Sequence, residues 1–142
     1  MMGNNERAYR NVATMKKEHI RAKTELLQAV SHLKNNDEAA AVKLLGEIRN
    51  ALIAHVGREK RALDEVAGKS LEFQAIHAAS QTSLEKVLVA AVKFFKDVTS
   101  GDLRGKEMEA QLNSLSLAMI SRITEEEKAG GVYDKYIEFY VE

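Results

Sequence analysis

The 142 residues contain no cysteine, no proline and no tryptophan. Without cysteine there is no disulfide, no thiolate zinc site, no iron–sulfur cluster and no cysteine nucleophile. Without proline the chain lacks much of the punctuation that a β-sandwich or an α/β sheet needs between its strands. A surplus of either charge is missing too, with 21 Lys+Arg against 21 Asp+Glu, so electrostatics suggests neither nucleic acid nor an anionic membrane as partner. Long apolar runs are absent. The longest, Val87 to Val92, is closed by Lys93, far short of the roughly 20 residues a membrane helix requires. The opening Met1-Met2-Gly3-Asn4-Asn5-Glu6-Arg7 leads into charged sequence with no apolar segment of a secretory signal behind it. A cytoplasmic protein is the expectation.

What remains is 45% apolar and 30% charged, rich in the strong helix formers Ala, Leu, Lys and Glu. At about 100–200 residues per domain, residues 1–142 read as one domain. Turn signals fall at Asn35-Asn36-Asp37, Gly68-Lys69-Ser70, Thr99-Ser100-Gly101-Asp102 and Gly130-Gly131. Asp37 and Ser70 are suited to cap the helices that follow them, and Ser100 or Asp102 the next. The boundaries predict helices over about 5–35, 37–67, 70–99 and 102–129, with a tail over 130–142. Long helices joined by loops of about 2–6 residues pack as antiparallel neighbours, so the fold class is an all-α, up-down-up-down four-helix bundle.

Each segment carries one stripe at the helical period. The first runs Val12, Met15, His19, Ala22, Leu26, Val30, Leu33, and the second Leu45, Ile48, Leu52, His55, Glu59, Leu63, Val66. The third runs Phe73, His77, Gln81, Leu84, Leu88, Ala91, Phe95, Val98, and the fourth Met108, Leu112, Leu115, Met119, Arg122, Glu126. All four turn polar partway along. A buried polar group without a partner costs about 1–3 kcal/mol, so seven inward polar residues imply a compensating partner among them. Counting from the loops at 1.5 Å per residue brings His19 and His55 level in an antiparallel pair and leaves His77 a turn or two away. His55 and Glu59 are i and i+4, stacked on one face, and an imidazole with a carboxylate at that spacing can hold one metal ion. Such a donor set suits iron or manganese, and zinc less exclusively.

These residues resemble the hemerythrin family, the cation-binding four-helix bundles that hold a non-haem di-iron centre. The family pattern is a His on the first helix, HxxxE on the second, HxxxH on the third and HxxxxD on the fourth. Lys17-Glu18-His19-Ile20 is similar to the first element, and His55-Val56-Gly57-Arg58-Glu59 matches the second. His77-Ala78-Ala79-Ser80-Gln81 matches the first half of the third, and Arg122 to Lys128 resembles the fourth with Glu127 in the place of the bridging Asp. The resemblance implies His19, His55, Glu59, His77 and Glu127 as metal ligands. Gln81 and Arg122 stand where two further histidines belong. One iron site therefore has its full set, while the other keeps one histidine of three. Arginine does not ligate metal, but its guanidinium could replace the second cation beside Glu59, Glu126 or Glu127.

The resemblance implies one or two non-haem iron ions, or another divalent metal. O2 or a small diatomic molecule would be the ligand, in binding, storage, sensing or iron handling rather than turnover of an organic substrate. A bundle with a decayed metal site, serving as an interaction module, is the alternative. His32 lies off the stripe and reads as solvated. In the tail, Tyr133, Tyr136, Ile137 and Tyr140 share one helical face, which would pack on the bundle or form a homodimer contact.

Overall fold

The computed structural model describes residues 3–141, and among them there are five helices and no strand. They are α1 (Asn4–Lys34), α2 (Glu38–Ala67), α3 (Leu71–Ser100), α4 (Gly105–Glu127) and α5 (Val132–Val141). The first four pack in a ring, each against its chain neighbours and α1 against α4, which is the expected up-down-up-down bundle. Among the described residues no helix is long and apolar enough to cross a membrane.

Local chemistry sets the first two turns. Asp37 accepts the Ala40 N–H at 3.2 Å and starts α2, while Ser70 accepts the Phe73 N–H at 3.2 Å and starts α3. Each satisfies one of the donors that a helix N-terminus leaves open. The third turn differs from expectation. α3 runs on through Ser100 and stops at Gly101, whose φ of 80° suits glycine. Ser100 donates to Asp102 and neither residue caps α4. A distant carboxylate does this instead: Glu38 of α2 accepts the Gly105 N–H at 2.7 Å and Arg104 Nε–H at 2.9 Å. A cap supplied across the bundle leaves no trace in the local sequence.

α4 has 23 residues against 31 in α1, so one end of the ring lacks its fourth wall. The chain turns back there and α5 covers the gap, lying against α1, α3 and α4. The turn requires glycine. A Cβ on Gly131 would stand 2.8–2.9 Å from the carbonyl oxygens of Glu125, Glu126 and Lys128. The expected tail is thus a fifth helix whose Val132, Tyr133 and Tyr136 are buried within this chain.

The apolar core comes in two parts. One spans Leu26, Leu45, Ile48, Phe94, Phe95, Met108, Leu112 and Met119 toward the α1–α2 turn. The other joins Val12, Met15, Leu63, Val66, Phe73, Tyr133 and Tyr136 under α5. Full burial of each aliphatic or Phe side chain stabilises the fold by about 1.5–3 kcal/mol, and together the two clusters clamp the layer between them. That layer holds His19, His55, Glu59, Arg122 and Glu126, all buried.

Candidate metal centre

Helix periodicity places the donors. α1 presents His19 between Met15 and Leu26, and α2 presents His55 and Glu59 on adjacent turns between Ile48 and Leu63. His19 Nε2 stands 3.0 Å from His55 Nε2, and His55 Nε2 stands 2.9 Å from Glu59 Oε2. The third side of this triangle, His19 Nε2 to Glu59 Oε2, is 4.0 Å. Its midpoint lies about 2.0 Å from both of those atoms and, along the triangle's median, about 2.2 Å from His55 Nε2. Metal–nitrogen and metal–carboxylate bonds are about 2.0–2.2 Å.

Hydrogen-bond partners assign the tautomers. His19 Nδ1 faces Glu127 Oε2 at 2.5 Å, and His55 Nδ1 faces Glu18 Oε1 at 3.2 Å, with Arg58 paired to the same Glu18. Each carboxylate accepts a hydrogen bond from Nδ1–H, and in that neutral tautomer of the ring the lone pair of Nε2 points inward. Burial favours that neutral form in His19 and lowers its pKa; the bond to Glu127 opposes this. Two lone pairs then face one another at 3.0 Å with no proton between them. Buried away from water this is costly, and carboxylates behind metal-binding imidazoles fix ring and tautomer in the same way.

Tyr133 completes the ring of donors. Its hydroxyl donates to Glu59 Oε2 at 3.0 Å and lies 3.2 Å from His19 Nε2, which puts it about 2.4 Å from the same midpoint. Burial, then the charges of Glu59 and Glu126, raise its pKa. Burial would also raise Glu59, but its neighbours His55, Glu126 and Tyr133, the last by donating its hydroxyl, outweigh it and hold the group well below its ordinary value. Glu126 goes the other way: burial, and after it the neighbouring Glu59, push its carboxyl far up. Three polar atoms of this layer, Glu59 Oε1, Glu126 Oε2 and Arg122 Nε, are buried without a hydrogen-bond partner. Orphaned acceptors around facing lone pairs fit a metal ion.

The expected ligands divide. His19, His55 and Glu59 come together. Glu127 lies behind His19, on Nδ1, where it orients the ring. His77 is not with them: its Nε2 bonds Asp64 Oδ1 at 2.7 Å and its ring stacks on Phe73 at 5.9 Å between centroids. Lys60 and then His77 hold Asp64 below its ordinary pKa. Arg122 and Glu126 face inward, with Ser121 and Glu125 exposed, which settles the rotation of α4. The guanidinium bonds Ser80 and stands 3.8 Å from Glu126 Oε2. Gln81 is half-buried, and so is His32. Sequence reasoning missed Tyr133, Glu18, Asp64 and Ser80. A phenol on the buried face of the tail, with a polar end to satisfy, was the one available signal.

A cavity of about 1000 Å³ adjoins this layer, bounded by Ile48, Leu52, Leu84, Leu88, Ala91 and Phe95, with His55, Glu59 and Arg122 in its wall. Leu84, Val87 and Leu88 of α3, which line it, are only half-buried. Compared with family models, curated proteins and solved structures, the chain matches none of them.

Proposed function

We propose that this chain binds one divalent metal ion, with non-haem iron the best fit, through His19, His55 and Glu59, and that Tyr133 serves as a fourth donor. The observation that carries the reading is the pair of Nε2 lone pairs converging beside Glu59 Oε2 in a buried layer. Two edges near 3.0 Å and one of 4.0 Å suit donors at right angles about an ion with bonds of about 2.1 Å, whereas a tetrahedral site would set every edge near about 3.4 Å. That favours iron or manganese over zinc.

The reading agrees with the hemerythrin-like resemblance in its first site and departs from it in the second. His77 bonds Asp64, and Arg122 occupies the place of a histidine with its charge toward Glu126. One ion, with a guanidinium in place of the second, is the arrangement these residues support. A ferrous ion here would supply reversible binding of O2 or another diatomic molecule, which the adjoining apolar cavity admits. The residues' own tasks are plain. Glu127 and Glu18 keep the Nδ1 protons of the two rings, Glu59 contributes negative charge, and the apolar clusters exclude water.

Anaerobic titration with Fe(II) or Mn(II) tests the proposal. Binding should saturate at one ion per chain and disappear in Glu59→Ala. Binding that survives Glu59→Ala would put the ion elsewhere.

A further inference from the structure

The cavity is far larger than a diatomic molecule needs. Its course follows from the helices. Arg122 bonds Ser80, and from that level the lining runs one way along α3, through Leu84, Leu88, Ala91, Phe95 and Thr99. At 1.5 Å per residue the lined stretch from Leu84 to Thr99 is about 22 Å. Arg122 therefore lies toward one end of a long, mostly apolar groove, with Lys96 toward its other end and Arg49 between.

Charge along the wall is unevenly matched. Glu25 is paired by Arg21 and Glu18 by Arg58, while Glu59 is held by His55 and Tyr133. Arg49 and Lys96 have no carboxylate within ion-pair distance among the described residues. Arg122, 6% exposed, donates to Ser80 and has Glu126 at 3.8 Å as its nearest carboxylate, and its Nε has no hydrogen-bond partner among the described residues. A buried guanidinium with an open edge is the group best shaped to receive a carboxylate through two hydrogen bonds.

We propose that the chain binds a monocarboxylate bearing an extended alkyl chain, its carboxylate on Arg122 and its chain along α3 toward Phe95. This rests on the cavity and Arg122, and holds whether or not the neighbouring donors carry metal. Arg122 sets the preference for an acid, and Leu84, Leu88, Ala91 and Phe95 set the preference for an apolar chain.

Dodecanoate, its methyl ester and dodecanol, titrated separately into the full-length chain with and without prior chelation, decide the matter by calorimetry. The acid should bind at least about tenfold tighter than the ester or alcohol, the worth of a charge-assisted hydrogen bond. Arg122→Met should remove that preference and leave alcohol binding unchanged. If that variant does not fold, Arg122→Lys, which keeps the charge and loses the fork, should narrow it. Leu88→Trp, at a half-buried position, should abolish binding of all three. Equal affinity for acid and alcohol would overturn the proposal, as would failure of all three to bind. A preference that survives Arg122→Met but is lost in the Arg49→Ala, Lys96→Ala double variant would put the carboxylate at those residues instead, and would also overturn it.

Discussion

The Nε2 atoms of His19 and His55, 36 positions apart in the chain, face each other at 3.0 Å in the core. Both Nδ1 atoms are committed to carboxylates, Glu127 and Glu18, so the facing nitrogens have no proton to share while both rings are neutral. Metal content should therefore depend on these rings and not on the other two histidines. His55→Ala should abolish bound metal. His77→Ala and His32→Ala should leave it unchanged, because His77 belongs to Asp64 and His32 is on another turn. Mass-spectrometric metal analysis of the three variants checks this; loss of metal in His77→Ala would mean that α3 contributes a ligand after all.

Tyr133→Phe removes one oxygen and keeps the ring that fills the core beside Val12 and Phe73. Stability without metal should fall by about 1.5–3 kcal/mol, the cost of one hydrogen bond to a carboxylate. Affinity for Fe(III) should fall at least about tenfold, since a second donor to the ion is lost. A visible absorption band from phenolate-to-iron charge transfer should accompany Fe(III) in the native chain and vanish in the variant. Metal binding without that band would leave Tyr133 as a hydrogen-bond donor alone.

The raised pKa of Glu126 makes a prediction about pH. Glu126 has a raised pKa in the folded chain and titrates near 4.3 when unfolded, so above that pH the folded state holds the extra proton. Its contribution is complete in acid and is lost as pH rises. His19, with a lowered folded pKa, acts with the opposite sign and only below about 6.5. Between pH 7 and 9 the Glu126 effect stands alone, and metal-free protein should lose stability by no more than about 1.4 kcal/mol per pH unit. Urea unfolding at the two pH values measures it, and Glu126→Gln should flatten the slope. A native chain that grows more stable from pH 7 to 9 would contradict the raised pKa of Glu126.

Arg122→Met keeps the stem of the side chain and removes its charge. The guanidinium is buried against Ser80 and 3.8 Å from Glu126, closer to a loose pair than a tight one. A tight buried pair costs about 3–5 kcal/mol to break; with Glu126 holding a proton, the loss here should be about 1–3 kcal/mol in urea unfolding of metal-free protein. A change below about 0.5 kcal/mol is what an exposed side chain gives, and would place Arg122 at the surface.

The bundle, its helix order and the inward stripes were legible because burial imposes a 3.6-residue period on each strip of sequence. His55 and Glu59 were legible for the same reason, as neighbours on one face, and counting residues from the loops already put His77 a turn or two off level. What the period does not encode is which side chains reach across between helices. Glu18 and Asp64 lie beside the stripes, and each was found only once helix rotation brought it to a histidine. Glu38 caps α4 from another helix, so local cap signals at Ser100 and Asp102 misled. Tyr133 shows the limit most clearly: its stripe predicted packing, while its hydroxyl's destination depended on how Gly130 and Gly131 turn the chain. The cavity left no mark in sequence, since Leu84, Val87 and Leu88 read the same whether seated or standing back.

The number of metal ions per chain tests the central claim most directly. Protein purified without a metal-affinity tag and reconstituted anaerobically with Fe(II), then desalted and measured by mass spectrometry, should hold one iron per chain. Two irons would mean that His77 and its surroundings complete a second site despite Gln81 and Arg122. None would mean that the facing histidines are a structural pair and not a metal centre.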